Sequence, residues 1–546
     1  MDITPQYYFL TRVIPFTAAS LVFCLILLFG LSSVFFNFIV RLVIMLLPVF
    51  VLLSALAYPL TIFKQRKYKI EEQMLLFVTR VSVVTYSSIA RKNVFDILKY
   101  AEEFDELAIE VNKIYKLIDN WKISTPEACR LIARKTPSDM FADFLDRVAI
   151  AIENAEDPNA FLEAEHGLVL DEYASRYEMM LESFAVYREI YTAVLSIALF
   201  PFVMFVFIPM LIDIGMYMVM MWSLVIMIIL NLGLIYGAYN TLLKEQIWNR
   251  RGITSKSQKQ IMVLTIIGVG AFLILFLVLL ILFYDTAPLL LLGSIAVIPL
   301  FVAGFYVMRL EAKIKRREEV FAPFLSSLGH STETKGLEAT KALDKLRNHD
   351  FGDLTKTIND LYLRLKTRID SELSWEYFGT ETDSEMISKF AKFYVEGAKQ
   401  GGNPKDITNV ITKTFTKLKA LRNRRFWGSS FFVFFSYFII FNTAFVCYAA
   451  YLILKLLVSL MLEVDPSSDT LGRFHNVSFL SPNIDLPFIH GILIAIIITN
   501  IIGGVVISRV TSGGHKSVSM LHVAGYTWTA FFGYIVSYFF FFYFFN

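Results

Sequence analysis

"DMFADFLDRVAIAIENAEDP", residues 139–158, set over "EMISKFAKFYVEGAKQGGNP", residues 385–404, decides how this chain is organised. At a constant offset of 246 no gap is needed: Met140 meets Met386, Phe144 meets Phe390, Ala149 meets Val395 and Pro158 meets Pro404. Phe141, Phe144, Leu145, Val148 and Ile152 follow the spacing of one helix face, so the stretches read as amphipathic helices. In the second copy Gly401 and Gly402 are suited to positive φ and to closing a helix. Asn403 then caps the next helix, and Pro404 starts it with a preset φ. In the first copy Asp157 and Pro158 do the same starting job, with Ala155 and Glu156 replacing the glycines, which predicts a plainer helix end. Thr125 before Pro126 reads as another N-cap, and Thr382-Asp383-Ser384-Glu385 as a capping box.

The offset also holds outside these helices. Mean hydropathy is +0.57 and only 18% of the 546 residues are charged, against about a quarter in soluble domains, so the chain reads as a polytopic membrane protein. Apolar runs long enough to span a bilayer fall at 13–40, 42–63, 190–212, 216–240, 260–283, 287–308, 427–460, 487–508 and 523–545, about nine in all. Shifting by 246 moves the first span's start onto the fifth's and the second span's end onto the sixth's. The expected architecture is therefore all-α and built by tandem duplication. Membrane helices 1–2 (1–63) lead into a helical domain (64–187), then helices 3–4 (188–240) and a basic loop (241–259). Helices 5–6 (260–308) precede a second helical domain (309–426), and helices 7–9 (427–546) follow. The first apolar run is too long for a cleavable signal peptide, and none is expected.

Charge sets the sides, because Lys and Arg stay cytoplasmic in short loops. Loop 241–259 carries Lys244, Arg250, Arg251, Lys256 and Lys259 against Glu245, and 509–522 has Arg509 and Lys516 without an acid. Residues 461–486 instead hold Glu463, Asp465, Asp469 and Asp485. The N-terminus and both helical domains are expected in the cytoplasm and the C-terminus outside. Asn476 then lies outside, within a sequon open to glycosylation.

No catalytic constellation is legible. Walker A, HExxH, GxSxG and GxGxxG are all missing, and "SGGHKS" (512–517) lacks the glycine before lysine. The seven histidines show no metal-ligand spacing; His515 and His522 read as polar surface. Cys24, Cys129 and Cys447 form no CxxC pair. Neither catalytic residues nor a metal or cofactor is expected, and the chain does not read as an enzyme. Intramembrane charge, the usual mark of transport, is sparse, which weakens the alternative of a transporter or permease built from parallel repeats. The clusters Lys313, Lys315, Arg316, Arg317 and Lys417, Lys419, Arg422, Arg424, Arg425 read as anchors on anionic membrane lipids. Arg91 and Lys92, in a turn of the first domain, suit an acidic partner instead.

Two helical domains, each ending in a helix that runs into the membrane, resemble the F domain of type II secretion and type IV pilus platforms. "FLDRVAIAIENAEDPNAFLEAE" (144–165), "AKQGGNPKDI" (398–407) and "HKSVSMLHVAGYTW" (515–528) are similar to the archaeal branch, the platforms of archaella and archaeal type IV pili. That resemblance implies a membrane hub beneath a growing filament. Its partners would be a hexameric cytoplasmic secretion ATPase and pilin- or archaellin-like subunits, and the hub itself a homodimer; nucleic acid has no role. ATPase contact is expected at the membrane-distal ends of the domains, through Arg91, Lys92, Lys399 and Lys405.

Overall fold

The computed structural model describes residues 13–15, 17, 18, 20–22, 38–86, 104–211, 216–241, 247–249, 255–283, 287–333, 339–463 and 485–545. Among them no strand forms; an isolated antiparallel bridge joins Trp248 and Ser384. The chain divides into two units, residues 1–170 and 171–546.

The first unit is built on α1 (Phe38–Thr85) with α2 (Asp105–Asp119), α3 (Thr125–Ala133), α4 (Asp139–Glu153) and the start of α5 (Pro158–Leu211). Ile70, Met74, Phe77, Val78 and Val81 lie on one face of α1 and are buried. Phe77 is the centre of that core. Its ring stands edge-on to Phe104, Phe141 and Phe144 at 5.7, 6.2 and 6.2 Å, contacts worth about 0.5–1.5 kcal/mol each beyond area burial. Around the rim, Arg66 pairs with Glu106 at 3.2 Å and Glu110 at 2.9 Å. The fork of Arg147 holds the buried Glu165 and so ties α4 to α5.

The second unit contains the rest of α5, then α6 (Met216–Thr241), α7 (Lys256–Phe283), α8 (Leu289–Ala296) and α9 (Ile298–Glu333). It continues with α10 (Ala339–Leu346), α11 (Thr355–Lys366), α12 (Ser371–Glu381) and α13 (Glu385–Lys399). The 60-residue α14 (Pro404–Glu463), α15 (Leu486–Ser512) and α16 (Ser519–Phe545) complete it. Five helices of the described residues are long and apolar enough to span a bilayer: Val219–Asn240, Lys256–Phe283, Pro404–Ser459, Leu486–Ser512 and Lys516–Phe544. The bent pair α8–α9, 40° apart, makes a sixth. Pro299 explains the bend, because it has no N–H for the carbonyl four residues back. The protein is a multi-pass, all-helical membrane protein. Of the other expected spans, 42–63 falls within α1 and 190–212 overlaps the end of α5, while most of 13–40 lies outside the described residues.

The membrane helices pack through Ile440, Ala444 and Tyr448 of α14 against Leu493 and Ile497 of α15 and Tyr526 of α16. The second helical bundle has its own aromatic core: Phe415 of α14 meets Phe321 at 4.9 Å and Phe390 at 5.5 Å. Phe324 stands edge-on to Phe351 at 5.5 Å, as Phe77 does to Phe104.

Two capping expectations shift. Thr382 is still right-handed helical (φ −74°, ψ −15°), so it closes α12, and its hydroxyl donates to the Gly379 carbonyl. Asp383 reverses the chain at φ 60°, and the extended Ser384 becomes the N-cap of α13, its hydroxyl accepting from the backbone N–H of Ile387 at 3.2 Å. Upstream, Ser124 rather than Thr125 has the extended backbone of an N-cap.

Candidate functional site

The corner between α13 and α14 is formed by a helix stop and a helix start set back to back. Gly402 donates its N–H to the Gly397 carbonyl and Gly401 to Ala398, both at 3.1 Å, the two bonds of a Schellman motif. Only Gly401 takes positive φ, at 79°; Gly402 does not. Asn403 Oδ1 accepts from the Lys405 amide at 3.1 Å, and α14 begins at Pro404.

The corner between α4 and α5 repeats both backbone bonds, and its cap reaches one residue further. Glu156 N–H donates to Ala151 at 3.0 Å and Ala155 to Ile152 at 3.3 Å, and Asp157 Oδ2 accepts from the Ala160 amide at 3.1 Å ahead of Pro158. Ala155 has φ 52°, the left-handed region, so the plainer helix end expected there is in fact a tight turn. The Arg147–Glu165 fork spans this corner and opposes the Cβ penalty of about 1–2 kcal/mol.

The correspondence extends further. Lys122 and Arg368, also 246 apart, are both left-handed at φ 53° and 60°. Ser138 caps α4 as Ser384 caps α13, and each hydroxyl donates to a glutamate of the preceding long helix: Glu71 at 3.4 Å and Glu318 at 2.6 Å.

Lys399 and Lys405 lie together at the second corner. Lys399 is exposed and donates to Glu372 at 3.0 Å, and that hydrogen bond, with the carboxylate's charge, raises its ammonium above the usual lysine value. Arg91, Lys92 and Asn476 lie outside the described residues.

Sequence reading missed a buried polar clasp close to the second bundle. Loop residues 247–249 lie against the α12–α13 turn: Asn249 N–H donates to Asp383 O at 3.0 Å, and Glu385 N–H to Ile247 O at 3.1 Å. Ser255 donates to Asp383 Oδ1 at 2.5 Å. Arg317, expected on lipid, is buried and donates to the carbonyls of Glu381 at 3.1 Å and Thr382 at 2.9 Å, besides pairing with Asp383.

The same clasp reaches α15 and α16. Trp248 Nε1 donates to Glu311 at 3.0 Å, and Glu311 also accepts the His515 amide. The His515 ring stands edge-on to Trp248 at 5.4 Å and is half-buried rather than open surface. His522 is stacked on Tyr526. Arg425 of α14 donates to the terminal carbonyls of α15, Val510 at 3.3 Å and Thr511 at 3.2 Å, where a cation offsets the helix dipole. A lone tryptophan in a basic loop was the one available signal for this assembly.

Among the described residues no group of three or more His, Cys, Asp or Glu side chains is placed to hold a metal. Inside the membrane part, Asn231 of α6 donates to Asn500 of α15 at 2.9 Å. Cys129 is buried in the first unit, and burial, with the charge of Asp146, pushes its thiol up to about 12. That thiol is inert near neutral pH.

Comparison with known proteins bears on this arrangement. Residues 77–209 match the family model described as type II secretion system (T2SS), protein F. The chain is 32% identical to "Flagella accessory protein J" of Methanocaldococcus jannaschii, over 97% of this chain and 94% of that one. It is 31% identical to the protein of the same name from Methanococcus voltae, over the same shares. No solved structure matches it significantly.

Proposed function

The chain belongs to the flagella accessory protein J family, and on that premise we propose that it is the integral membrane platform for assembly of a type IV pilin-like filament, an archaellum or an archaeal pilus. A hexameric cytoplasmic secretion ATPase presses on the two helical domains, and the platform, as a homodimer, passes the displacement to pilin- or archaellin-like subunits in the membrane. The observation that carries this reading is α14. It starts at the Gly401–Pro404 corner, where Gly401 and Asn403 are exposed, and the same unbroken helix is long and apolar enough to cross the membrane. From Pro404 to the start of the apolar run at 427 is about 35 Å at 1.5 Å per residue, so the corner stands well away from the bilayer.

The finer architecture belongs to the same proposal. The matched turns at Ala155 and Gly401, Lys122 and Arg368, and the two serine–glutamate caps support a tandem duplication. With nine spans, the charge of the loops places the N-terminus and both domains in the cytoplasm and the C-terminus outside, where Asn476 is open to glycosylation. Arg91, Lys92, Lys399 and Lys405 are the proposed ATPase contacts.

The test is affinity purification from native membranes with identification of the co-purifying proteins. A secretion ATPase and pilin-like subunits are expected, the ATPase falling several-fold when Arg91, Lys92, Lys399 and Lys405 are changed to Glu at unchanged membrane insertion. Undiminished ATPase in that variant overturns the contact assignment, and recovery of neither partner with the wild type overturns the platform. The buried Asn231–Asn500 pair is the feature that favours a transporter instead, and substrate flux in proteoliposomes would decide for it.

A further inference from the structure

The membrane part of the second unit leaves a groove open on its side. Phe301 and Phe305 of α9 form one wall, Leu521 and Trp528 of α16 the other, and Tyr437 of α14 the floor, enclosing about 570 Å³. Gly525 keeps the floor low: a Cβ there would meet the Tyr437 hydroxyl at 2.3 Å.

One end of the groove is cationic. Phe301, Phe305, Arg309 and Lys313 recur every four residues and form one ridge along α9. The two rings stack at 5.9 Å, and the Arg309 guanidinium lies 4.6 Å over the face of Phe305. In the turn between those two, the Tyr306 hydroxyl donates to Gln260 Oε1 at 3.1 Å, which marks where apolar surface gives way to polar.

The cations of α9 divide into two groups. Lys315 lies 3.4 Å over the Phe426 ring, Arg316 pairs with Asp353 at 2.6 Å, and Arg317 holds the α12–α13 turn. Each of those three is engaged by a protein group, although Arg316 is itself exposed. Among the described residues Arg309 and Lys313 pair with no carboxylate; Arg309 covers the ring of the lining residue Phe305, and Lys313 follows one turn further along the same ridge. Two uncompensated cations leading away from one end of an apolar slot complement an amphiphile with an anionic head. Size points the same way, since a membrane-spanning helix about 10 Å across and 30 Å long fills on the order of 3,000 Å³, several times the groove.

We propose that this groove is a specific site for an anionic phospholipid-type amphiphile, with one hydrocarbon chain between α9 and α16 and the phosphate at Arg309 and Lys313. Aromatic rings grip the chain, and the guanidinium–aromatic stack fixes the cation toward the head. Such a lipid fills the gap beside the last membrane helix, close to the loop that bonds Glu311.

Native mass spectrometry of the full-length protein, released from bilayers of phosphatidylglycerol and phosphatidylcholine, tests the site. The wild type is expected to retain phosphatidylglycerol preferentially. Arg309→Gln with Lys313→Gln should weaken retention about fivefold per cation removed, whereas Lys341→Gln with Lys356→Gln, both exposed on the second helical bundle, should leave it within about twofold. Thr529→Phe, which fills the groove, should also release the lipid, while Ile266→Phe on the exposed face of α7 should not. Thermal melts that match the wild type show that each variant is folded. No preference in the wild type, equal losses in the two charge pairs, or full retention by Thr529→Phe would each overturn the proposal.

Discussion

At the scale of the residue, the two corners pose one backbone problem and solve it with different side chains. Position 401 is glycine and accepts φ 79° without cost, whereas Ala155 holds φ 52° against its own Cβ. Gly401→Ala is therefore expected to destabilise the second bundle by about 1 kcal/mol, and Ala155→Gly to stabilise the first by about 0.5 kcal/mol once the extra chain entropy of glycine is subtracted. Urea melts of the reconstituted protein, followed by tryptophan fluorescence, check both signs. Opposite signs at equivalent positions are the informative result; two destabilisations would mean that Ala155 is not strained.

At the scale of the element, the short segment 247–249 is held by the α12–α13 turn on one side and by Glu311 on the other. A helix that tilts without this tie would leave α15 and α16 behind. Trp248→Phe keeps an aromatic ring but removes the donor to Glu311, so an acceptor in a buried site loses one of its bonds at a cost of about 1–3 kcal/mol. Cross-linking of the 247–249 segment to the 513–515 loop is expected to fall in that variant while the membrane helices remain assembled. Unchanged cross-linking yield would remove Trp248 from the coupling. The Asn231–Asn500 hydrogen bond pins α6 to α15 in a similar way, and side-chain hydrogen bonds inside membranes contribute about 0.6 kcal/mol on average.

At the scale of the whole molecule, sidedness is the property to measure. With Cys24 replaced by Ser, a cysteine introduced at Ser467 should react with a membrane-impermeant maleimide in intact cells, and one at Gln246 should react only after lysis. Cys129 stays silent because its thiol is buried and pushed up to about 12. Labelling at Gln246 in intact cells would invert the orientation. Much of this architecture was legible in the chain. Apolar periodicity marked α4 and α13, long apolar runs marked the membrane helices, and Pro158 and Pro404 marked where two helices start. The clasp was not legible, since Trp248, Glu311, Asp383 and His515 are scattered along the chain and no local pattern joins them. Arg317 was misread for a related reason: a positive charge near a span has the same appearance whether it faces a headgroup or a buried carbonyl. The tight turn at Ala155 escaped because no glycine marks it. The length of α14 has a mechanical consequence. A strut with no joint between the Gly401 corner and the far side of the bilayer delivers push and pull alike. It cannot favour either direction, so any one-way step must arise where the strut's neighbours engage and let go, and not within the strut.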